Sequence, residues 1–184
     1  EFKVMSLSSF GKPTYKNQLK EVFNINDFKI NMNYFTFHKN LSKSFSKKLI
    51  NILGDPYLNI NLDENLKKYA DIASSAQVIL EETMENLVKK AIQMSGKKKI
   101  VLTGGVALNC KMIHNLSKLN IFEELIVPPS PGDSGSAIGA SNFAYLNENK
   151  DKTLNLNSIF LGPKKEIINK KNNKNDLFLK INLT

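Results

Sequence analysis

Two apolar runs that each end in a glycine turn constrain the fold of this chain more than any other feature. Residues 100–102 lead into Thr-Gly-Gly, and residues 125–127 lead into Pro-Pro-Ser-Pro-Gly-Asp. A helix-like segment follows each turn, and successive strand–helix units favour an α/β fold with a parallel sheet. The pattern predicts strands over 99–103 and 122–127 and helices over 106–119 and 133–146. Both turns should then lie at the same end of the sheet, where open α/β sheets bind ligands.

The glycine turns have the chemistry of an anion-binding loop. Glycine lets the backbone approach a ligand closely, and a helix start presents free N–H groups. Gly104, Gly105 and Gly132 are therefore candidate nucleotide-binding residues, together with Asn109, whose amide can bind a phosphate or sugar oxygen. A tight strand–helix connection explains the first glycine pair equally well. Neither the three-glycine dinucleotide pattern nor the Lys-Ser pair of a P-loop is present.

Asp133 has two interpretations, since it stands at the start of the second predicted helix. Its carboxylate can cap that helix by accepting from backbone N–H groups. Beside a phosphate site, the same carboxylate can serve as a hard ligand for a divalent cation.

Other reactive residue types are interpreted as structural. Cys110 is predicted to be a buried small residue, and His38 and His114 are predicted to have surface or packing roles. The glutamates within 81–85 are predicted to form a solvated helix face that pairs with the lysines at 89–90.

Composition limits the class of protein and its compartment. The chain has 184 residues, 41% of them hydrophobic, which is enough for one globular domain with a core. Its net charge of +9 comes from scattered lysines, which favours a solvated surface and makes nucleic acid an unlikely partner. A single cysteine fits a reducing compartment. No apolar run reaches the length of a membrane span, so we expect a cytoplasmic protein without a membrane partner.

The remaining chain is organised around one long helix. Apolar residues recur at three and four over 63–94, and shorter patterns predict a helix within 15–23 and one or two strands within 28–37. After residue 147 the composition becomes Asn- and Lys-rich, which predicts a linker over 147–157 and a new unit from Ile159.

Taken together, these motifs resemble the nodulation-type O-carbamoyltransferases. GGVALNC at 104–110 and PSPGDSGSAIGA at 129–140 carry the resemblance. FKVMSLSSFG at 2–11 is similar to the family's KVMGLAPYG, DIASSAQ at 71–77 to its DLAASIQ, and FLGP at 160–163 to its YLGP. The match keeps the family's order along the chain. Ser6, Ser9 and the pair Ile113-His114 depart from the family pattern.

The resemblance implies an actin/Hsp70/sugar-kinase-like (ribonuclease H-like) lobe with a mixed sheet flanked by helices. It also implies relatedness to the protein that forms threonylcarbamoyladenosine in tRNA. Carbamoyl phosphate and ATP would give a carbamoyl-adenylate, whose carbamoyl group passes to a hydroxyl on a sugar, antibiotic or related small molecule. Gly104, Gly105, Asn109 and Gly132 would contact the nucleotide, and Asp133 would bind a divalent metal, Fe(II). No catalytic residue is assigned.

The same resemblance implies that the chain is a fragment. Residues 1–146 would be the C-terminal lobe of the actin-like domain, and 147–184 a linker with the truncated start of the C-terminal carbamoyltransferase domain. The histidine ligands of the metal would precede Glu1, so we expect the isolated chain to be inactive. A truncated, non-catalytic nucleotide-binding module remains an alternative, as does a threonylcarbamoyl transferase or kinase of the same fold.

Overall fold

The computed structural model of the chain describes residues 1–40, 42–56 and 62–149, with the side chains of 62–64 left aside. Residues 1–136 form one compact unit, and a second begins at Ala137. The new unit predicted from Ile159, and the predicted linker beyond residue 149, lie outside the described residues.

A single long helix, α4 (Leu62–Ser95), organises the first unit. Its apolar residues recur at three and four positions, so they form a stripe along one side. The helix ends at Ser95 and is followed by Gly96, whose φ of +65° suits a residue without a Cβ. The predicted helix over 63–94 is confirmed. Its buried apolar residues are Ala70, Ala73, Ile79, Met84 and Val88.

The N-terminal segment packs against the first half of α4. Helix α1 (Phe2–Leu7) continues into a 3-10 turn, and helix α2 (Lys16–Val22) follows. Between them, a Cβ at Gly11 would lie 2.0 Å from the carbonyl oxygen of Ala70, so the two backbones are in direct contact. The Lys12 N–H donates to the Asp71 carboxylate at 2.7 Å. The stretch at 2–11 and the helix segment at 71–77 therefore lie against one another.

A small hairpin and one short helix complete this half. Strands β1 (Phe23–Asn24) and β2 (Lys29–Ile30) pair antiparallel, and α3 (Lys47–Leu53) follows. The strand predicted within 28–37 ends at Ile30, because the Asn31 side chain accepts from the Asn33 N–H and starts a 3-10 turn. The core here consists of Leu19, Val22 and Ile79.

The second half of the unit contains the predicted strand–helix–strand motif. Strands β3 (Lys99–Val101) and β4 (Glu124–Ile126) are parallel, with Ile100 opposite Leu125. Helix α5 (Cys110–Ser117) connects them, preceded by a 3-10 turn over Gly105–Leu108. The core side chains here are Met84, Val88, Met112 and Leu116.

Helix α6 (Gly135–Glu148) begins two residues later than predicted. A turn precedes it, in which the Gly135 N–H donates to the Gly132 carbonyl and the Ser136 N–H to the Asp133 carbonyl. In the part of the chain that the structure describes, no helix combines the length and apolarity that a membrane crossing requires.

The α/β class is confirmed, and the arrangement of the strands differs from the expected one. The described residues contain two separate two-stranded sheets, one antiparallel and one parallel. A single mixed sheet is not present among them. The actin-like fold stays a prediction.

Candidate functional site

The two glycine turns lie side by side. Beyond the paired strands, the Leu102 N–H donates to the Ile126 carbonyl at 2.9 Å. The next bond between the two segments runs from the Gly104 N–H to the Pro131 carbonyl at 2.7 Å. Since β3 and β4 are parallel, both turns sit at the carboxyl end of the sheet. The predicted placement of the turns at one end is confirmed.

The first turn has an open backbone in a conformation that only glycine adopts readily. Gly104 has φ +90° and ψ 166°, a region that is essentially restricted to glycine. A Cβ built at Gly104 or Gly105 meets no atom within 4 Å, so the space beside this backbone is open. The N–H groups of Gly105 and Val106 have no hydrogen-bond partner among the described residues. Exposed, unpaired N–H groups are the donors that an anionic ligand uses.

The second turn packs on the first. A Cβ at the half-buried Gly132 would lie 3.7 Å from the Leu108 side chain, in ordinary van der Waals contact. Beside the two turns runs a groove of about 510 Å³, lined by Leu108, His114 and Pro131 among others. The turns thus form one surface bordered by a largely apolar groove.

Asn109 is held by two different elements. Its Oδ1 accepts from the Met112 N–H at 3.0 Å, so the residue caps α5. Its amide also forms a reciprocal pair with Gln77 of α4: Asn109 Nδ2 donates to Gln77 Oε1 at 2.8 Å, and Gln77 Nε2 donates to Asn109 Oδ1 at 3.0 Å. Sequence reasoning placed Asn109 in the first turn of a helix and missed both the cap and the partner.

Glu81 continues this hydrogen-bond network. It accepts from Gln77 Nε2 and from Asn115 Nδ2, each at 2.7 Å. The predicted solvated face is therefore wrong for Glu81, which is half-buried between α4 and α5. The predicted solvated face is confirmed for Glu85, which forms an ion pair with Lys89, one helical turn further along α4. Glu82 pairs with Lys16 of α2, a partner that helix spacing does not reveal.

Asp133 does not cap α6. The helix begins at Gly135, and only the backbone carbonyl of Asp133 bonds to it, through the Ser136 N–H. The carboxylate is exposed and has no hydrogen bond or ion pair among the described residues. Over the same residues, no three His, Cys, Asp or Glu side chains are grouped to hold a metal ion. Asp133 is thus one available ligand, and the residues that the structure describes do not by themselves make a metal site.

Cys110 is exposed, so the prediction of a buried residue is wrong. It is the first residue of α5, and its Sγ lies 3.9 Å from Met5 Sδ. His114 and His38 are exposed, and His38 meets the Phe37 ring edge-on at 5.8 Å between ring centroids. The surface roles predicted for the two histidines are confirmed.

A larger cleft of about 910 Å³ lies away from the glycine turns, between the β1–β2 hairpin and α4. Its carboxylates already have partners: Glu21 with Tyr34, Glu82 with Lys16 and Glu85 with Lys89. The glycine turns, with unpaired N–H groups, are therefore the better candidate for a ligand.

Comparison with known proteins gives the family. Residues 1–142 match the family described as carbamoyltransferase N-terminus. An uncharacterized protein, sll1178, of Synechocystis is 31% identical over 147 residues, which cover 77% of this chain and 23% of that protein. Nodulation protein NolNO of Sinorhizobium fredii is 27% identical over 142 residues, 77% of this chain and 19% of that protein. Nodulation protein U of the same organism is 35% identical over 74 residues, 39% of this chain and 13% of that protein.

These matches agree with the motifs that the sequence presents. The chain spans less than a quarter of the length of the relatives it matches. The family match covers every residue of the site described above, from Gln77 to Asp133. The chain belongs to the carbamoyltransferase family, as part of its N-terminal region.

Proposed function

We propose that this chain supplies the nucleotide-holding surface of an ATP-dependent O-carbamoyltransferase. In that enzyme a carbamoyl-adenylate, made from carbamoyl phosphate and ATP, donates its carbamoyl group to the hydroxyl of a small-molecule acceptor. The N–H groups of Gly105 and Val106 bind a phosphate oxygen of the nucleotide, with Gly104 and Gly132 shaping the surface. The fold expected for such a nucleotide-holding lobe is the actin-like one.

One observation carries this proposal. The hydrogen bond from Gly104 to Pro131 joins two glycine turns at the carboxyl end of parallel strands, and the donors beside it are unpaired. Backbone donors of this kind recognise anionic oxygens without reference to a particular side chain. The apolar groove alongside offers room for an uncharged part of the nucleotide.

Asp133 is proposed as one ligand of the divalent metal, Fe(II), that the family resemblance implies. Its free, exposed carboxylate is the kind of hard donor that such a cation accepts. A single carboxylate does not hold the ion, so the other ligands would come from outside the described residues.

Alanine substitution at the first turn tests the nucleotide site. Gly105→Ala adds a methyl group where the structure leaves open space, so the fold should remain intact. The same methyl group would stand where the ligand approaches. We expect ATP binding, measured by isothermal titration calorimetry, to weaken at least about tenfold, which is about 1.4 kcal/mol. Gly139→Ala, at a glycine inside α6 whose added Cβ also meets no atom within 4 Å, is the control for the added methyl group. Equal ATP affinity for Gly105→Ala and the unchanged chain would refute the proposed site.

A further inference from the structure

The amide network at Asn109 has two ends whose hydrogen-bond direction is fixed by chemistry. At one end the Met112 backbone N–H can only donate, so it requires the oxygen of Asn109. At the other end an ionised Glu81 carboxylate can only accept, so it requires the nitrogen of Gln77. Between these ends, the reciprocal Gln77–Asn109 pair satisfies both requirements at once. The orientation of both amides is therefore determined.

Exchanging the positions of the oxygen and nitrogen of the Gln77 amide would remove these hydrogen bonds. Its Oε1 would then face the Glu81 carboxylate and Asn109 Oδ1, which places acceptors against acceptors. Gln77 is only 4% exposed, so water cannot readily compensate for the lost bonds. The Asn115 amide, which donates to the other Glu81 oxygen at 2.7 Å, holds the carboxylate in place.

In this orientation, one hydrogen-bonding group of the Asn109 side chain remains available to a ligand. Its Oδ1 accepts two hydrogen bonds, and one N–H of Nδ2 donates to Gln77. The second N–H of Nδ2 has no partner among the described residues. We propose that Gln77 and Glu81 are positioning residues, which set Asn109 to present this single N–H donor to an acceptor oxygen of the ligand.

This inference rests on the proposed function, since it assumes a ligand beside the first glycine turn. It also sharpens that function. Asn109 would select an acceptor, such as a phosphate, ribose or carbonyl oxygen, and would disfavour a ligand N–H at the same point. Gln77 and Glu81 lie on α4, one turn apart, and act through Asn109 without touching the ligand.

The positioning role is tested first by NMR of the side-chain amides in the full chain. Gln77→Met keeps a similar shape and removes every hydrogen bond of the amide. We expect the two Asn109 Nδ2 protons to move toward their free-amide shifts, with solvent exchange of the bonded proton rising at least about tenfold. Gln93→Met is the matched control, because Gln93 is an exposed glutamine on the same helix. Unchanged Asn109 signals in Gln77→Met would overturn the inference.

A second pair of variants serves if Gln77→Met does not fold. Glu81→Gln retains an oxygen that can accept from Gln77, so the Asn109 signals should stay close to those of the unchanged chain. Glu81→Leu removes the acceptor that holds the Gln77 amide, so Gln77 should become mobile and the Asn109 signals should shift and broaden. Identical spectra for these two variants would also overturn the inference.

ATP titration then connects the network to the ligand. We expect Gln77→Met to weaken ATP binding at least about tenfold and Gln93→Met to leave it unchanged. If Gln77→Met changes the Asn109 signals but not the ATP affinity, the proposed role of Asn109 in ligand binding is wrong. If the unchanged chain binds no ATP, the proposed function fails, and the amide spectra alone decide whether Gln77 orients Asn109.

Discussion

The Gly104 N–H donates to the carbonyl oxygen of Pro131 across 2.7 Å, although the two residues are separated by a helix and a strand. This bond is the second one beyond the paired ends of β3 and β4, after the bond from the Leu102 N–H to the Ile126 carbonyl. It brings the two glycine turns of the sequence into one surface. The surface includes Gly104 in a conformation, φ +90° and ψ 166°, that is essentially restricted to glycine.

Alanine substitution of the two adjacent glycines should destabilise the chain at Gly104 and leave its stability nearly unchanged at Gly105. We expect Gly104→Ala to lower the free energy of unfolding by about 1–3 kcal/mol, because an L-residue is strained at φ +90°, ψ 166°. Gly105→Ala should change it by no more than about 0.5 kcal/mol, since its Cβ meets nothing within 4 Å. Urea denaturation of both variants measures the difference. Equal free energies of unfolding for the two variants would contradict the φ and ψ angles of Gly104.

Gly11→Ala tests the contact between the N-terminal segment and α4. The new Cβ would overlap the Ala70 carbonyl oxygen at 2.0 Å, and both partners are backbone, so neither can simply rotate away. We expect a loss of about 1–3 kcal/mol or more in the free energy of unfolding. Gly105→Ala is the control with the same chemical change and open space. A Gly11→Ala variant as stable as this control would refute the close approach.

Asp133 should tolerate substitution in the absence of ligands. Capping of α6 by its side chain would make Asp133→Ala cost about 0.5–2 kcal/mol, with a smaller effect for Asn. The structure gives the carboxylate no partner among the described residues, so both variants should stay within about 0.5 kcal/mol of the unchanged chain. Thermal and urea unfolding provide the measurement. A clear loss with Ala that Asn restores would reinstate the cap.

Tyr34 should ionise at a higher pH than an ordinary tyrosine, because its pKa is raised. Partial burial, together with the hydrogen bond that its O–H donates to Glu21 at 3.1 Å, raises the pKa of the Tyr34 hydroxyl above its ordinary value. The unfolded chain would lose this proton first. The stabilising contribution is therefore complete below the ordinary pKa of about 10 and is lost as pH rises through the folded pKa.

Absorbance titration of tyrosinate, with Tyr34→Phe to assign the signal, measures that pKa. Glu21→Gln should lower it, because the neighbouring negative charge is removed while the side-chain size is kept. An unchanged Tyr34 pKa in Glu21→Gln would show that the carboxylate has no part in the shift.

The isolated chain should not transfer carbamoyl groups. It spans less than a quarter of the length of its relatives, and its described residues contain no group of three side chains that could hold a metal ion. Carbamoyl phosphate, ATP, Fe(II) and a hydroxyl acceptor should give no carbamoylated product by mass spectrometry. A full-length family member of established activity is the positive control. Product formation above background by the isolated chain would contradict the expectation.

Several features of this protein are local and were determined by the sequence alone. The apolar spacing over 63–94 predicts α4 nearly to its ends, since helix periodicity depends only on neighbouring residues. The two runs that end in glycine predict β3, β4 and their parallel pairing, because a strand–helix–strand unit admits few arrangements. The motifs that resemble the carbamoyltransferases are also short local patterns, and the family match over residues 1–142 confirms the resemblance.

Side-chain partners were decided only by the tertiary structure. Gln77 and Asn109 are 32 positions apart, and nothing in their local sequence indicates that α4 and α5 bring their amides together. The same packing places Glu81, which the sequence predicts on a solvated face, within a hydrogen-bond network. Asp133 fails as a cap because the turn at 132–135 delays the helix start, an effect of backbone geometry that residue type does not encode. Periodicity fixes which face a residue occupies, whereas its partner depends on where the other element lies.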